Sequence, residues 1–305
     1  MQISSNRVAY LFLFIAMLSW SGNLTLGRAL DGLIPPFSIT FWRWCIATVI
    51  MTPFFFHYAW QQRQLIWANG WLVITLILVG FVGNQSAIYL ALTSTTSINV
   101  ALMMSTAPLI IPVLSFLFHR EVIRKAQIVG ILLSLIGVAI IILRGEMNGL
   151  QALTFVTGDL WALLAVLLWS VYSVALQWKP AELDARGMLW LSALVASIIL
   201  YTPYHIEAKT VGHFLWGWKE IISLLYIAIF PSILAFLCYN MAVHKIGANR
   251  TGPFMHLMPF LSTILAIVFL SETLEMFQIA GVLFIFSGIY VTSVKSMTGG
   301  ERSAE

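Results

Sequence analysis

The sequence predicts an all-α membrane protein with ten transmembrane helices, built as two inverted five-helix repeats. Three observations predict this class: the hydropathy, the length of the apolar runs, and the similarity between the two halves. Sixty per cent of the 305 residues are hydrophobic, only 9% are charged, and the mean hydropathy is +0.92. A soluble domain of this length could not cover its core with so few charges, so we expect lipid to be the solvent.

Apolar runs of about 18 to 22 residues recur along the chain, and each is long enough to cross a hydrocarbon core of roughly 30 Å. The connections between them are too short to form a soluble domain. The first run follows Arg7, and we interpret it as a retained helix because it lacks a small-residue cleavage site and nine more runs follow. The ten predicted spans are 8–28, 37–57, 71–91, 97–118, 126–144, 159–178, 187–204, 218–240, 250–270 and 275–295.

The second half of the chain repeats motifs of the first half at a shift of 149 to 151 residues. The matched pairs are Trp20 with Trp169, Thr52 with Thr202, Pro108 with Pro259, and Glu121 with Glu272. Spans 1–5 therefore correspond to spans 6–10, which predicts two repeats, 1–148 and 149–305. Because five is odd, the second repeat must enter the membrane from the opposite face. Inverted repeats of this kind are typical of secondary transporters.

The distribution of Lys and Arg predicts the orientation. With a cytoplasmic N-terminus, eleven basic residues fall in inside segments and four in outside segments, in line with the positive-inside rule. We expect both termini in the cytoplasm and a multi-pass location in the plasma membrane, which in a bacterium is the inner membrane. The net charge of +4 reflects the basic loops, so nucleic acid is not an expected partner. The expected partners are the bilayer and a small-molecule solute, for a monomer or a homodimer.

Nothing in the sequence indicates catalysis or cofactor binding. It contains no phosphate-binding loop, metal-ligand cluster or nucleophilic triad. Cys45 and Cys238 both fall within predicted spans, so neither a disulfide nor a metal site is expected. We predict that the protein is not an enzyme and uses no cofactor.

Spans 1 and 6 carry matched aromatic and polar residues. Trp20 and Asn23 correspond to Trp169, Tyr172 and Ser173, and in each set an aromatic ring precedes a polar group by one helical turn. Most of the tryptophans in the chain fit an interfacial belt, but these two are deeper. We expect them to line a cavity suited to a planar or amphiphilic solute.

Span 2 contains Arg43, the one basic residue placed within a span. It is about six residues from the outer end, or roughly 9 Å deep at about 1.5 Å per residue. As a substrate-binding residue it would clamp a carboxylate with its planar fork of donors. The alternative is that it snorkels outward or bonds helix-end carbonyls.

Spans 3 and 8 place amides and phenols at similar depth. Gln85 and Tyr89 are one helical turn apart and share a face, whereas Asn84 points in a different direction. The matched region of span 8 contributes Tyr239 and Asn240. These groups could bind amino and carboxyl groups of a solute. Hydrogen bonds between helices, worth on the order of 1 kcal/mol, are the alternative.

Spans 4 and 9 contain Pro108, Pro112 and Pro259, which remove backbone hydrogen bonds and permit bends. Two roles remain possible for these prolines: a hinge or gate, or a fixed curvature of the helix. His256 precedes Pro259 by three residues and is the best candidate for a pH effect, since a histidine can titrate near neutral pH. A neutral histidine bonded to a neighbouring helix is the alternative.

Spans 5 and 10 carry small-residue stripes, namely Gly130, Ser134 and Gly137 in one and Gly281 and Gly288 in the other. Small faces allow close helix contact. We assign both spans to packing, within the molecule or in a dimer, and not to the solute.

The carboxylates give a negative result. All twelve fall at span ends or in loops, which argues against a proton relay built on a buried acid. Glu121 and Glu272 precede spans 5 and 10 on opposite faces of the membrane. A carboxylate there suits a helix N-terminus, so we interpret the pair as end-of-helix structure or gating and not as a shared proton site.

Several of these motifs resemble those of a known family. They are LSWSGNLTLGRAL in span 1, FWRWCIAT in span 2, and TAPLIIPVLSFLFHREVIRKAQIVGILLSLIGVAII in spans 4 and 5, with its partner in the second half. The chain resembles, over almost its whole length, the EamA-type branch of the drug/metabolite transporter superfamily. The resemblance implies a ten-helix exporter or facilitator of small metabolites, often amino acids, with a central cavity between the halves.

The resemblance also bears on individual residues. The family shows an arginine at the position of Arg43 across many substrates, which favours a structural or gating use. The first half has His119, Arg120 and Glu121 where a Gly-Glu pair is common. Met258 stands where the family often has Glu, which argues against a mechanism that needs a carboxylate there.

Taken together, the sequence predicts a secondary transporter that exports small metabolites such as amino acids by alternating access. An uncoupled facilitator or exchanger is the alternative within transport, and the missing buried acid favours it. A lipid-handling membrane protein or a membrane enzyme would leave the inverted repeat unexplained.

Overall fold

The structure, a computed structural model, describes residues 2–119, 125–142, 156–180, 182–246, 254–255 and 257–298. Within these ranges the chain is helical and contains no β-strand. Helices suit a chain in lipid, because each one satisfies its own backbone hydrogen bonds where water is absent. The α-helices are α1 (Gln2–Ala29), α2 (Pro36–Gln61), α3 (Arg63–Ala68), α4 (Gly70–Leu76), α5 (Asn84–Leu92), α6 (Ser97–Met104), α7 (Ala107–His119), α8 (Lys125–Ile142), α9 (Thr157–Ala175), α10 (Ala185–Val211), α11 (Trp218–Ile227), α12 (Ala235–Ile246), α13 (Leu257–Leu270) and α14 (Met276–Thr298).

Seven stretches of the described helices are long and apolar enough to cross a membrane. They correspond to predicted spans 1–4 and 6–8. Predicted spans 5, 9 and 10 appear as shorter apolar stretches, Ile128–Gly137, Leu257–Leu270 and Met276–Gly288. The expectation of an all-helical, multi-pass chain is confirmed, and the count of ten stays a prediction.

Two of the spans contain a π-helical turn. π-Helical turns occupy Ile77–Gly83, between α4 and α5, and Ala228–Leu234, between α11 and α12. The two turns have the same length and lie 151 residues apart. Such turns are rare in proteins overall, and many of those that occur lie at functional sites. They lie in the third and eighth spans, which the sequence analysis matches to each other.

Pro108 and Pro259 stand near the start of helices and do not interrupt them. The fourth span is broken at Ser105–Thr106, and Pro108 follows in the first turn of α7. Pro259 lies in the first turn of α13. A first-turn proline removes no helical hydrogen bond, because the N–H there has no partner within the helix. Pro112 lies inside α7, and hinge or gate use of the three prolines stays a prediction.

Helix α2 packs antiparallel against α10, and each helix has its first turn bonded by the end of the other. The Glu207 carboxylate near the end of α10 accepts from the backbone N–H of Phe37 at 3.0 Å and of Ser38 at 2.8 Å. At the opposite end, the Gln62 side chain accepts from the Asp184 N–H and donates to the Glu182 carbonyl, both at 2.7 Å. Helix N-termini favour such oxygen acceptors. Helices α2 and α10 are therefore joined by hydrogen bonds at both ends.

Helices α8 and α14 pack against each other through small residues. A Cβ built on Gly137 would lie 2.6 Å from the Gly281 carbonyl oxygen and 3.0 Å from the Ile285 nitrogen. Only glycine permits this approach, so the small stripes predicted for spans 5 and 10 serve packing within the molecule.

Glu272 does cap a helix, but not the expected one. Its Oε1 accepts from the N–H and from the hydroxyl of Ser97, both at 3.2 Å, at the start of α6. The expectation that it faces the helix that follows it is therefore wrong. The turn at Ser271, where φ is 54°, precedes Glu272, and α14 is instead capped by Gln278 through the Glu275 N–H. Glu121 lies outside the described residues.

Candidate functional site

An internal cavity lies among helices from both halves of the chain. In this conformation it is small, about 40 Å³, which exceeds the roughly 10 to 15 Å³ that one water molecule needs. All but one of its lining residues, Trp20, are at least nine-tenths buried. The lining residues are Trp20, Asn23, Leu24, Asn84, Gln85, Ile88, Met104, Trp169, Phe236, Met255 and Met258.

Amide side chains form the polar part of the wall. Gln85 donates through Nε2 to Oδ1 of Asn84 at 2.8 Å. Asn84 donates through Nδ2 to the backbone carbonyl of Ala165 in α9, also at 2.8 Å. Both residues therefore contribute to the same wall although they are adjacent in sequence, and these bonds fix which way each amide points.

Arg43 lies on the side of this polar wall that faces away from the cavity, and it holds the wall in place. It is 1% exposed; its Nη1 donates to Oε1 of Gln85 at 2.6 Å and to the Tyr89 hydroxyl at 3.1 Å. Its Nε donates to the Ser232 hydroxyl in the second π turn at 2.9 Å. The Tyr89 hydroxyl in turn donates to Oδ1 of Asn23 at 2.6 Å. One guanidinium thus holds two lining amides and both halves of the chain.

This geometry argues against one of the two alternatives for Arg43. The side chain neither snorkels nor bonds helix-end carbonyls, because it donates to three side chains in the interior. Its guanidinium carbon also lies 4.8 Å from the Trp44 ring centroid, a distance suited to cation–π attraction. Arg43 is not among the lining residues, so in this conformation it positions the wall.

Aromatic rings form the facing part of the wall. Trp20 and Trp169 meet edge to face with ring centroids 5.8 Å apart, a favoured arrangement. Phe236 lies 5.6 Å from Trp20, and Tyr172 stacks on Trp169 at 5.3 Å. Tyr239 lies 5.4 Å from Trp20. The wall on this side offers ring faces and edges to an apolar group.

Two indole N–H groups bind carbonyls of the π turns. Trp20 donates through Nε1 to the carbonyl of Pro231 at 3.1 Å. Trp44 donates through Nε1 to the carbonyl of Phe81 at 3.0 Å. In contrast, Nε1 of Trp169 is buried and has no hydrogen-bond partner among the described residues. The two tryptophans that share the cavity wall therefore differ in their hydrogen bonding.

The sequence-predicted site residues fall into three groups. Five line the cavity: Trp20, Asn23, Asn84, Gln85 and Trp169. Four others touch lining residues from behind, and these are Arg43, Tyr89, Tyr172 and Tyr239. Asn240 is half-buried and is not among the lining residues, and His256 lies outside the described residues.

Six apolar lining residues were missed: Leu24, Ile88, Met104, Phe236, Met255 and Met258. Apolar residues are abundant in every span, so no compositional signal separates lining from lipid-facing ones. The repeat does carry a signal: Met104 and Met255 are 151 residues apart, each four residues before a matched proline. Met258, where the resembled family often has Glu, also lines the cavity, and its carbonyl accepts from the Ser21 hydroxyl at 3.3 Å.

Polar bonds join the two halves at one face, which we call the outer face after the sequence prediction. Asp159, in the first turn of α9, is fully buried and accepts from the Thr95 hydroxyl at 2.5 Å. Gln278 donates to Oδ1 of Asn99 at 2.7 Å, near the bond between Glu272 and Ser97. Asp159 is at a helix end as predicted, but it is buried, which the sequence reading did not anticipate.

No group of three or more His, Cys, Asp or Glu side chains suited to a metal ion occurs in the described part of the chain. The cavity instead combines oriented amides with aromatic rings inside a bundle of apolar helices. Such a wall suits a small solute that has both polar and apolar groups. The class of protein that this fold and site define is a membrane transport protein.

The chain belongs to the EamA-like transporter family, which its residues 7–143 and 156–294 match. The resemblance drawn from the motifs is thereby confirmed, and so is the general prediction of a multi-pass transporter.

Individual relatives agree with this membership. The uncharacterized transporter YyaM of Bacillus subtilis is 23% identical, over 93% of this chain and 94% of the relative. A probable amino-acid metabolite efflux pump of Salmonella typhimurium is 27% identical, over 58% of this chain and 60% of the relative. A solved crystal structure with 23% identity matches 94% of this chain and 97% of its own with a TM-score of 0.62, which shows a shared fold.

Proposed function

We propose that the protein is a secondary transporter that exports small metabolites such as amino acids by alternating access around the central cavity. Membership of a transporter family supports transport in general. The name of the Salmonella relative supports both the outward direction and the class of solute.

The observation that carries this proposal is the composition of the cavity wall. The amides of Asn84 and Gln85 come from the first half, whereas Trp169, Phe236 and Met258 come from the second. A movement of one half against the other would therefore open or close the same site. Because the amides are held in fixed orientations, they can bind amino and carboxyl groups while the rings contact an apolar side chain.

Helix packing supports the proposal of two inverted repeats, 1–148 and 149–305. Helix α1 packs against α12 and α13, and its counterpart α9 packs against α5 and α7. Helices α2 and α10, and likewise α8 and α14, pack against their own counterparts. This exchange of partners is what a pseudo-two-fold axis requires, and exchanging the conformations of two such halves is a known route to alternating access. The matched π turns and the two matched family segments agree with it.

Transport by the purified protein in liposomes is the direct test. Vesicles that contain the protein are loaded with a mixture of radiolabelled amino acids and diluted into solute-free buffer, with protein-free vesicles as the control. We expect faster loss of at least one amino acid from the protein-containing vesicles. Equal retention of every solute in a broad panel of amino acids and small drugs would contradict the proposal. Scrambling of labelled phospholipid in the same vesicles would instead favour a lipid-handling protein.

An uncoupled facilitator or exchanger is the second candidate, and one observation favours it. Among the described residues, no Asp, Glu, Lys or His lines the cavity, so a protonation step would have to occur elsewhere. The same vesicles separate the candidates when a pH gradient is imposed and then collapsed. A rate that follows the gradient would support proton coupling, and an unchanged rate would support the facilitator.

We also propose that the protein lies in the plasma membrane with both termini in the cytoplasm, as a monomer or a homodimer. The bias of Lys and Arg supports the orientation. A reporter that is active only in the cytoplasm should work when fused at either end, and an inactive fusion at either end would contradict the orientation.

A further inference from the structure

The two tryptophans of the cavity wall occupy matched positions in the two halves but make different hydrogen bonds. Trp20 and Trp169 are 149 residues apart, and Pro231 and Gly80 are 151 apart, within the matched π turns. By this correspondence, the counterpart of the bond from Trp20 to the Pro231 carbonyl is a bond from Trp169 to the Gly80 carbonyl. Only the first bond is formed.

The missing bond has a visible cause. The ring of Tyr172, which stacks on Trp169 at 5.3 Å, lies directly over Gly80 in the first π turn. Trp169 is 6% exposed, and its Nε1 is buried without a partner among the described residues. A buried donor without a partner is costly. A conformation in which Trp169 Nε1 donates to a carbonyl would remove that cost.

The formed bond is accompanied by closure of the outer face. The Thr95–Asp159, Ser97–Glu272 and Asn99–Gln278 bonds tie the outer ends of the two halves together. If inverted repeats exchange their conformations, the opposite state breaks the bond of one tryptophan and forms that of the other. The structure then represents the state in which Trp20 is bonded and the outer face is closed.

The geometry points to Trp20 and Trp169 as a reciprocal latch. Trp20 holds the π turn of the eighth span in the outer-closed state, and Trp169 holds the π turn of the third span, through the Gly80 carbonyl, in the outer-open state. Both rings line the cavity, so a solute that shifts either ring biases the latch. This inference rests on the proposed alternating access, whose regulation it assigns to two indole N–H groups.

Substitution by Phe tests the latch, because it removes the N–H and keeps an aromatic ring. Spin labels are placed at Thr93→Cys and Thr273→Cys, two exposed outer-face positions, one in each half. The background carries Cys45→Ala and Cys238→Ala, and the protein is studied in lipid nanodiscs. Pulsed electron-spin resonance then gives the ratio of long to short distances, which measures the outer-open fraction.

We expect Trp20→Phe to raise the open-to-closed ratio about fivefold, the effect of losing one hydrogen bond. Adding Trp169→Phe to that variant should return the ratio to within about twofold of the parent. General damage to the fold would not be reversed by a second substitution. Trp190→Phe is the matched control, since it removes an indole bond to the Thr52 hydroxyl at 2.9 Å that lies outside the cavity, and it should leave the ratio unchanged.

An unchanged ratio in Trp20→Phe, or a further rise when Trp169→Phe is added, would overturn the latch. The transport proposal fails independently of this outcome. If Trp20→Phe and Trp169→Phe change the open-to-closed ratio in opposite directions but the protein moves no solute in liposomes, the latch stands and transport is refuted. If the protein moves solute in liposomes but the two substitutions do not act in opposite directions, transport stands and the latch is refuted.

Discussion

The two halves of the chain share their helix order but contribute unequally to the cavity. The first half supplies Asn23, Asn84 and Gln85, with Arg43 behind them. At the matched position of Arg43 the second half has Ala193, and opposite Gln85 it has Phe236. The polar groups of the wall therefore come from the first half, whereas its aromatic rings come from both halves.

This difference teaches that symmetry constrains the scaffold more than the site. The halves remain alike in backbone features, namely π turns at Ile77–Gly83 and Ala228–Leu234 and prolines inside α2 and α10. Among the lining residues, Trp20 matches Trp169 and Met104 matches Met255. A solute with one polar and one apolar end needs different groups on the two walls, so the other lining residues had to diverge. Four predictions test the comparison, in order of decreasing effect.

Removal of Arg43 should have the largest effect, because the polar wall depends on it. Arg43→Ala leaves Gln85, Tyr89 and Ser232 buried without their shared donor, at a cost of about 3 kcal/mol in the free energy of unfolding, because several buried polar groups lose a partner at once. Thermal unfolding in detergent measures this. Arg63→Ala is the control, since Arg63 is exposed and bonds the Trp60 carbonyl only three residues away, so little stability is expected to be lost. A similar loss in both variants would mean that Arg43 has no special position.

Substitution at the close contact of α8 and α14 tests a region where the halves are alike. Gly137→Ala would place a Cβ 2.6 Å from the Gly281 carbonyl and should destabilise the protein by about 2 kcal/mol. Gly70→Ala is the matched control, because no atom lies within 4 Å of a Cβ there. Melting temperatures of the two variants give the comparison, and equal values would refute the close packing.

Asn84→Ala removes the amide that faces the cavity and bonds Ala165 of the second half. We expect transport of an amino-acid mixture in liposomes to fall about tenfold or more, equivalent to about 1.4 kcal/mol. Trp20→Ala should also impair transport while leaving membrane insertion intact. Ser287→Ala on the exposed face of α14 should transport normally. Normal rates in both cavity variants would remove these residues from the site.

The cap at the start of α10 should show the smallest effect. Asp184 accepts from the Arg186 N–H and side chain at 2.8 to 3.1 Å, and the hydrogen bond from Arg186 holds the pKa of its carboxyl below the ordinary value. Its stabilisation is therefore complete above the unfolded-state pKa of about 3.9 and is lost as the pH falls towards the lower folded-state value.

Asp184→Asn should lower stability near pH 7 by under about 1 kcal/mol, since its partner Arg186 is exposed and Asn still caps. The difference between Asp184→Asn and the parent should shrink when melting is measured at about pH 3. A difference that stays constant with pH would exclude the charge of Asp184 as its cause.

Much of the site could be predicted from sequence because polar groups are scarce in lipid. Any Asn, Gln or Arg in a span must find a partner or a cavity, which is why Asn84, Gln85 and Arg43 stood out. The apolar residues that share the cavity, such as Ile88 and Met104, carry no such mark. Their selection depends on which face of each helix points inward, and helix packing decides that.

The sequence by itself determined the solvent, the helical class and the family of the protein, because hydropathy and internal repetition are properties of the residues in order. Only the tertiary structure decided what each interior group does. It placed Arg43 behind the wall, and it assigned Glu272 to α6. It also gave Trp20 a partner that Trp169 lacks. The physical reason is that a hydrogen bond between helices depends on distance and direction across the bundle, which no local pattern records.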